Sequence, residues 1–175
     1  MGYNISRLLS LVLRHKPETI GIKLDKNGWT EVDILLTKLN ENGNDINLTE
    51  LISIVDGNDK QRFAFNDDIT KIRANQGHSL KVDLKLIAER PPIELYHGTV
   101  ERFTIDIRKV GLNKMNRQHV HLSDEIETAT KVANRRGKAI ILTIDSASMN
   151  ADGVKFYKSK NGVWLTDKVL PKYIK

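Results

Sequence analysis

The chain contains no cysteine, which excludes disulfides, a thiol nucleophile and a cysteine-ligated zinc site. It also lacks any apolar run near the roughly 20 residues that a membrane-spanning helix needs. The apolar face around Leu8 to Leu13 is interrupted by Arg7 and Arg14, so it does not resemble a signal peptide. A cytoplasmic location is the expectation. No GxxxxGK[ST] loop is present, no G-x-G-x-x-G follows a strand pattern, and no serine sits in a G-x-S-x-G elbow. ATP on a P-loop, a Rossmann dinucleotide site and an α/β-hydrolase nucleophile are thereby set aside. There is no internal repeat and no low-complexity tract.

What is present is 175 residues with a net charge of +6, enough for one domain or two small ones. The charge is unevenly spread. Residues 1–90 hold 13 Lys/Arg and 13 Asp/Glu, whereas residues 91–175 hold 15 against 9. A polyanionic partner is suggested, but the first half must meet it through a local cluster of cations.

The first half reads as three helices and a ribbon. Ile5, Leu8, Leu9, Val12 and Leu13 recur at helical spacing, with Asn4 as N-cap and Pro17 as stop. Arg14 falls on the opposite face, available to a ligand. Ile22-Lys23-Leu24 alternates like a strand, and Asp25-Lys26-Asn27-Gly28 supplies turn chemistry ahead of Trp29. Thr30 with Asp33 resembles a capping box for a helix through Leu39, and Asn47 with Glu50 resembles another for Leu48 to Val55. Gln61 to Phe65 and Lys71 to Ala74 form the ribbon, which is a winged-helix pattern. Lys60 and Arg62 open the ribbon, and Arg73 with Gln76-Gly77-His78-Ser79 closes it. That polar turn suits a sugar or a base edge, and equally a simple loop closure. Pro91-Pro92 marks the expected boundary between domains 1–90 and 91–175.

In the second half, Leu95-Tyr96-His97-Gly98-Thr99 reads as a strand whose glycine lets another molecule approach the backbone. A helix is expected from Val100 to Val110 with Phe103 and Ile107 inward. A strand carrying Arg117, His119 and His121 on one face should follow. Three imidazoles and a guanidinium with no acid among them suit an anion. His119-x-His121 with Glu125 also spells a cupin-like metal signature. Against it, Glu125 lies behind a Ser123 helix cap, and Arg117 and Lys114 would repel a cation, so no metal is expected. Ala129, Val132 and Ala133 should face the core from the next helix. Ala139 to Ile144 is an apolar strand, Asp145 to Gly153 a polar loop, and Lys160-Asn161-Gly162 the turn joining Val154–Tyr157 to Val163–Thr166. The fold class is α+β.

Several motifs in order, from Ser6 to Tyr173, resemble one family. They are Leu13-Arg14-His15, Gly28-Trp29, Lys60-Gln61-Arg62-Phe63, Ile72 to Ser79, Tyr96-His97-Gly98-Thr99, Arg117 to Leu122 and Asn161 to Thr166. The chain is similar to the RNA 2′-phosphotransferases of the KptA type. The resemblance implies a winged-helix-like RNA lobe joined to an ADP-ribosyltransferase-like β-sheet lobe, with NAD held in the cleft between them. It implies an enzyme acting on RNA that bears an internal 2′-phosphate, such as that left by certain tRNA ligases; a monomer is the separate expectation. The phosphate attacks C1″ of the nicotinamide-bearing ribose; O2″ then attacks the phosphate, giving 2′-hydroxyl RNA and ADP-ribose 1″,2″-cyclic phosphate. The catalytic cations implied are Arg14, His15, Arg62 and Arg117. His97, Gly98, Thr99, His119 and His121 would line the NAD site, and Lys60, Arg73, Gln76 and His78 would contact RNA. Two alternatives stay open: an ADP-ribosyltransferase that caps terminal RNA or DNA phosphates, and a non-enzymatic winged-helix regulator.

The balanced charge of residues 1–90 predicts a weak grip on the RNA backbone. The logarithm of affinity for 2′-phosphorylated RNA should fall with log salt at a slope well short of the value for about six phosphate contacts. A slope that steep contradicts recognition centred on one phosphate.

Overall fold

The computed structural model describes residues 2–175, with side chains from Ile5 onward. The chain divides into two compact units, Met1–Lys85 and Leu86–Lys175.

In the first unit, helix α1 (Gly2–Val12) is followed by a 3-10 turn (Pro17–Thr19), β1 (Thr30–Glu31), α2 (Val32–Glu41) and α3 (Leu48–Asp56). Strands β2 (Phe63–Phe65) and β3 (Lys71–Ala74) complete a sheet of order β1-β3-β2, antiparallel throughout. Leu9, Val12, Leu13, Leu35, Leu39, Leu51 and Ile72 form its core. The proposed Asn4 cap lies outside the described side chains. Arg14 is not on the helix: α1 stops at Val12, and Arg14 sits half-buried in the turn beyond it.

The Asn47–Glu50 capping box is present in full. The Thr30–Asp33 box is not, because Thr30 is taken by β1, pairing with Ile72, and the N-cap position of α2 falls to Glu31, whose side chain makes no cap bond. Residues 22–24 form no strand; the chain there leads into the Asp25 turn. The Asp25 carboxylate accepts bonds from the Asn27 and Trp29 N–H groups, and Gly28 takes φ +81.

The second unit contains β4 (Ala88–Glu89), β5 (Leu95–Val100), α4 (Glu101–Val110), β6 (Leu112–Asn113), β7 (Val120–Leu122) and α5 (Ile126–Ala133). It continues through β8 (Ala139–Ile144), α6 (Ser146–Ala151), β9 (Phe156–Lys158), β10 (Trp164–Thr166), β11 (Lys168–Val169) and a closing 3-10 turn (Pro171–Tyr173). These strands make three small antiparallel sheets, β4-β9-β10-β7, β11-β6 and β5-β8. Two backbone bonds between Tyr96 and Ser123 tie β5 to the end of β7. Pairing of β4 with β9 draws residues ahead of the proline pair into this unit. The whole is a mixed helix and sheet protein.

Phe103 and Val132, expected inward, are exposed at 38 % and 45 %. Ile107 and the pair Ala129 and Ala133 carry those helix contacts instead. The expected polar loop 145–153 is largely helix α6, started by the Asp145 carboxylate accepting from Ser148 N–H and anchored by buried Met149. Among the described residues no helix is long and apolar enough to cross a membrane.

Gly98 has a reason in this chain's own packing. A Cβ there would run into the carbonyl oxygen of Ala129 on α5. The side expected to admit a ligand is therefore filled by a helix, and the lost side chain allows that close approach. Gly98→Ala should destabilise the chain by about 3 kcal/mol or more, because backbone would have to move. Asn47→Ala should cost only about 1 kcal/mol, for a lost cap. Urea unfolding of both variants measures the difference; equal midpoints contradict it.

Candidate functional site

The end of α1 and the turn after β3 are joined by backbone: Ser79 N–H donates to the Arg14 carbonyl at 3.0 Å. That bond sets His15 beside the turn, with its Nδ1 3.0 Å from Ser79 Oγ. Arg14 extends across the Phe63 ring, 6.0 Å from its centroid. His78 lies beneath, 1 % exposed, and neither of its ring nitrogens has a hydrogen-bond partner among the described residues. Burial, then the charges of Arg14, His15 and Arg73, depress its proton affinity to a pKa of about 4. His78 is thus a neutral imidazole within the field of Arg14 and Arg73. The resemblance places it in contact with substrate; its burial puts it behind the residues that can make that contact.

Arg73 sits with its guanidinium 4.4 Å from the centre of the Trp29 ring, and it donates from Nη1 to the Asn27 carbonyl at 3.4 Å. Its Nε is buried without a hydrogen-bond partner among the described residues. Arg62 is steered from behind by Asn58, whose Oδ1 accepts from Arg62 Nη1 at 3.2 Å and from the backbone N–H groups of Lys60 and Arg62. Asn75 fixes the same strand pair, donating its N–H to the Arg62 carbonyl and its amide to the Gln61 and Phe63 carbonyls. Lys60 and Gln76 are half-buried at the two ends of this ribbon. The sequence reading missed Asn58 and Asn75 as supports; the Asn four residues before Arg62 was the available signal.

The second unit brings together His97, Arg117 and His121. His97 Nδ1–H donates to the His121 carbonyl at 3.1 Å, which leaves Nε2 as the ring's acceptor. Burial lowers the His97 pKa, the His121 carbonyl raises it, and the charges of Arg136 and Arg117 lower it again. Arg117 Nη1 donates to His121 Nδ1 at 2.9 Å. Thr99 is buried beside Gly98 on β5. Arg136, just past α5, is a cation the sequence reading did not single out; the Arg135-Arg136 pair was its only mark.

His119 does not join this group. Strand β7 begins only at Val120, so the alternation expected from Arg117 onward fails at its start. The His119 ring lies 5.9 Å from that of Tyr157, and its proton affinity is lowered by burial, raised by Asp167 and lowered by Lys114. Glu125 accepts a bond from Thr128 at 2.8 Å. Among the described residues no set of three His, Asp or Glu side chains forms a metal-binding group.

Each unit therefore holds cations in partial burial, and among the described residues no carboxylate adds to the field at His78 or His97. Such a cluster is chemically matched to an anion with several oxygens. Comparison with known proteins bears on which one. Residues 2–168 match the model of the RNA 2′-phosphotransferase, Tpt1 / KptA family. The chain belongs to that family. It is 58 % identical to a protein of Flavobacterium johnsoniae named "Probable RNA 2′-phosphotransferase", over 98 % of this chain and 94 % of that one. Proteins of the same name from Burkholderia pseudomallei and Fusobacterium nucleatum are 54 % and 53 % identical, over 97 % and 98 % of this chain and 92 % and 96 % of theirs.

His78 gives a pH signature. Its folded pKa of about 4 lies below the ordinary 6.5, so the unfolded chain takes up the proton first as pH falls. Stability should be full above pH 6.5 and decline towards pH 4, by on the order of 3 kcal/mol in total. A His78→Gln chain should lose markedly less over that window in urea unfolding. Equal acid sensitivity in both chains contradicts the assignment.

Proposed function

We propose that this chain removes an internal 2′-phosphate from RNA in an NAD-dependent reaction that releases nicotinamide and ADP-ribose 1″,2″-cyclic phosphate. The observation that carries this is the cluster of Arg14, His15 and Arg73 over a neutral, fully buried His78, in a chain of the 2′-phosphotransferase family. A 2′-phosphate is dianionic near neutral pH, and bringing it to an anionic dinucleotide costs Coulomb energy that fixed cations offset. Arg14, His15, Arg62 and Arg117 take that role. Guanidinium groups suit it because they stay charged at any working pH and donate two parallel bonds.

When bound, NAD supplies a ribose carbon activated by a good leaving group. The residues of the second unit fit it. His97 offers Nε2 as an acceptor for a sugar hydroxyl, while Arg117 and Arg136 bring positive charge suited to a pyrophosphate. His121 holds both His97 and Arg117 in place. With an attacking group already anionic, the chain's task is orientation and charge balance rather than proton removal. Three helices followed by a β-ribbon support a winged-helix-like RNA lobe. The short sheets around β5 support an ADP-ribosyltransferase-like lobe. Lys60, Arg73 and Gln76 are the residues assigned here to meet the RNA near its modified nucleotide.

Incubation with NAD and a 2′-phosphorylated oligonucleotide should yield the 2′-hydroxyl RNA and free nicotinamide. RNA that keeps its phosphate and accumulates ADP-ribose would show that the reaction stops at transfer. Arg14→Ala and Arg117→Ala should each lower turnover by about a hundredfold or more while leaving the urea midpoint near that of the parent chain. Near-parental rates in either variant overturn the catalytic role of that arginine.

A further inference from the structure

Beside the Arg14 cluster, on the same unit, lies a groove of about 460 Å³ that the phosphate chemistry does not use. Its walls are Leu24, Trp29 and Ile34, and its rim carries Lys23, Asp25 and the Glu31–Lys71 ion pair at 3.3 Å. Ile34 is 49 % exposed there, although Val32, Leu35 and Leu39 of the same helix are buried. Two contacts at the Trp29 segment link the groove to the cluster. Arg73 faces the Trp29 ring on one side and contributes to the field at His78 on the other. Gly28, preceding Trp29, lies so close to His78 that a Cβ would be 3.3 Å from Nε2.

We propose that this groove seats a nucleobase of the RNA next to the 2′-phosphorylated nucleotide, stacked against Trp29. This rests on the function proposed above. Three features select that occupant. The volume falls in the range of small-ligand sites. The aromatic wall is held by a guanidinium and an Asp25-braced turn, so its orientation is set before binding. The rim balances two cations against two carboxylates, which disfavours a phosphate chain but matches a base edge, where donors and acceptors alternate. A base whose sugar is linked to a phosphate in the Arg14 cluster would reach the adjoining groove without spanning the protein. Recognition of a flanking base also supplies affinity that the charge-balanced unit cannot draw from backbone phosphates.

The test uses the full chain and two trinucleotides with a central 2′-phosphate, one with all bases and one abasic at both flanking positions. Trp29→Ala should raise KM about tenfold for the first, the loss expected of one stacked base, and leave kcat and the abasic substrate's KM unchanged. Trp29→Phe should restore most of the loss. An equal rise for both substrates, or none for either, overturns the proposal. Binding is read independently of turnover by 19F NMR of the 5-fluorotryptophan-labelled chain, with the Trp29 resonance identified by its absence in Trp29→Phe. That resonance should shift with the base-bearing trinucleotide and not with the abasic one. A shift without turnover would sink the phosphotransferase activity and keep the groove; turnover without a shift would do the reverse.

Discussion

Like charges held close together and partly out of water are the constraint to which this chain's local structure answers. Two cations in water at contact distance repel by about 1 kcal/mol, and several times that where the effective dielectric falls. In the first unit burial depresses the proton affinity of His78, and the charges of Arg14, His15 and Arg73 depress it further. In the second unit burial lowers the proton affinity of His97 first, and the charges of Arg136 and Arg117 lower it further against the His121 bond that raises it. Folding alone gains nothing from such an arrangement. A ligand that brings two negative charges removes the repulsion and satisfies donors at once, and a 2′-phosphate is such a ligand.

The supports around these clusters are neutral and directional. Asn58 and Asn75 hold Arg62 and its strand by hydrogen bonds, and the His121 carbonyl and ring hold His97 and Arg117. A carboxylate in any of these places would orient a cation equally well but would cancel the field. Amide and imidazole partners orient without neutralising, which keeps the charge available to the substrate. Asp25 stands near Arg73, where it counters burial without entering the field at His78. That position suits an arginine shared between a phosphate cluster and an aromatic groove.

Much of this was legible from sequence where a local rule governs. The Asn47–Glu50 capping box, the Asp25–Gly28 turn and strand β8 at residues 139–144 follow from side-chain chemistry and apolar patterning. The misses arise where a distant partner decides. Thr30 caps nothing because Ile72 recruits it into a sheet. His119 leaves the face of Arg117 because strand pairing to β10 reaches no further than Val120. Gly98 reads as an opening for a ligand, and only the packing of α5 shows that Ala129 fills the space. The clustered cations themselves were recognisable by type and motif, but their neutral supports were not. An asparagine that steers an arginine looks like any turn asparagine until the fold brings them together.

Completion of the Arg14 cluster by the 2′-phosphate itself is the claim on which the proposed activity turns. The direct measure is the His78 imidazole, followed by carbon-edited NMR across a pH titration. Binding of a dianion above it should raise its pKa from about 4 towards the ordinary value, with a 2′-phosphorylated oligonucleotide and not with its 2′-hydroxyl counterpart. A His78 titration that is the same with both oligonucleotides, each at saturating concentration, would contradict the account.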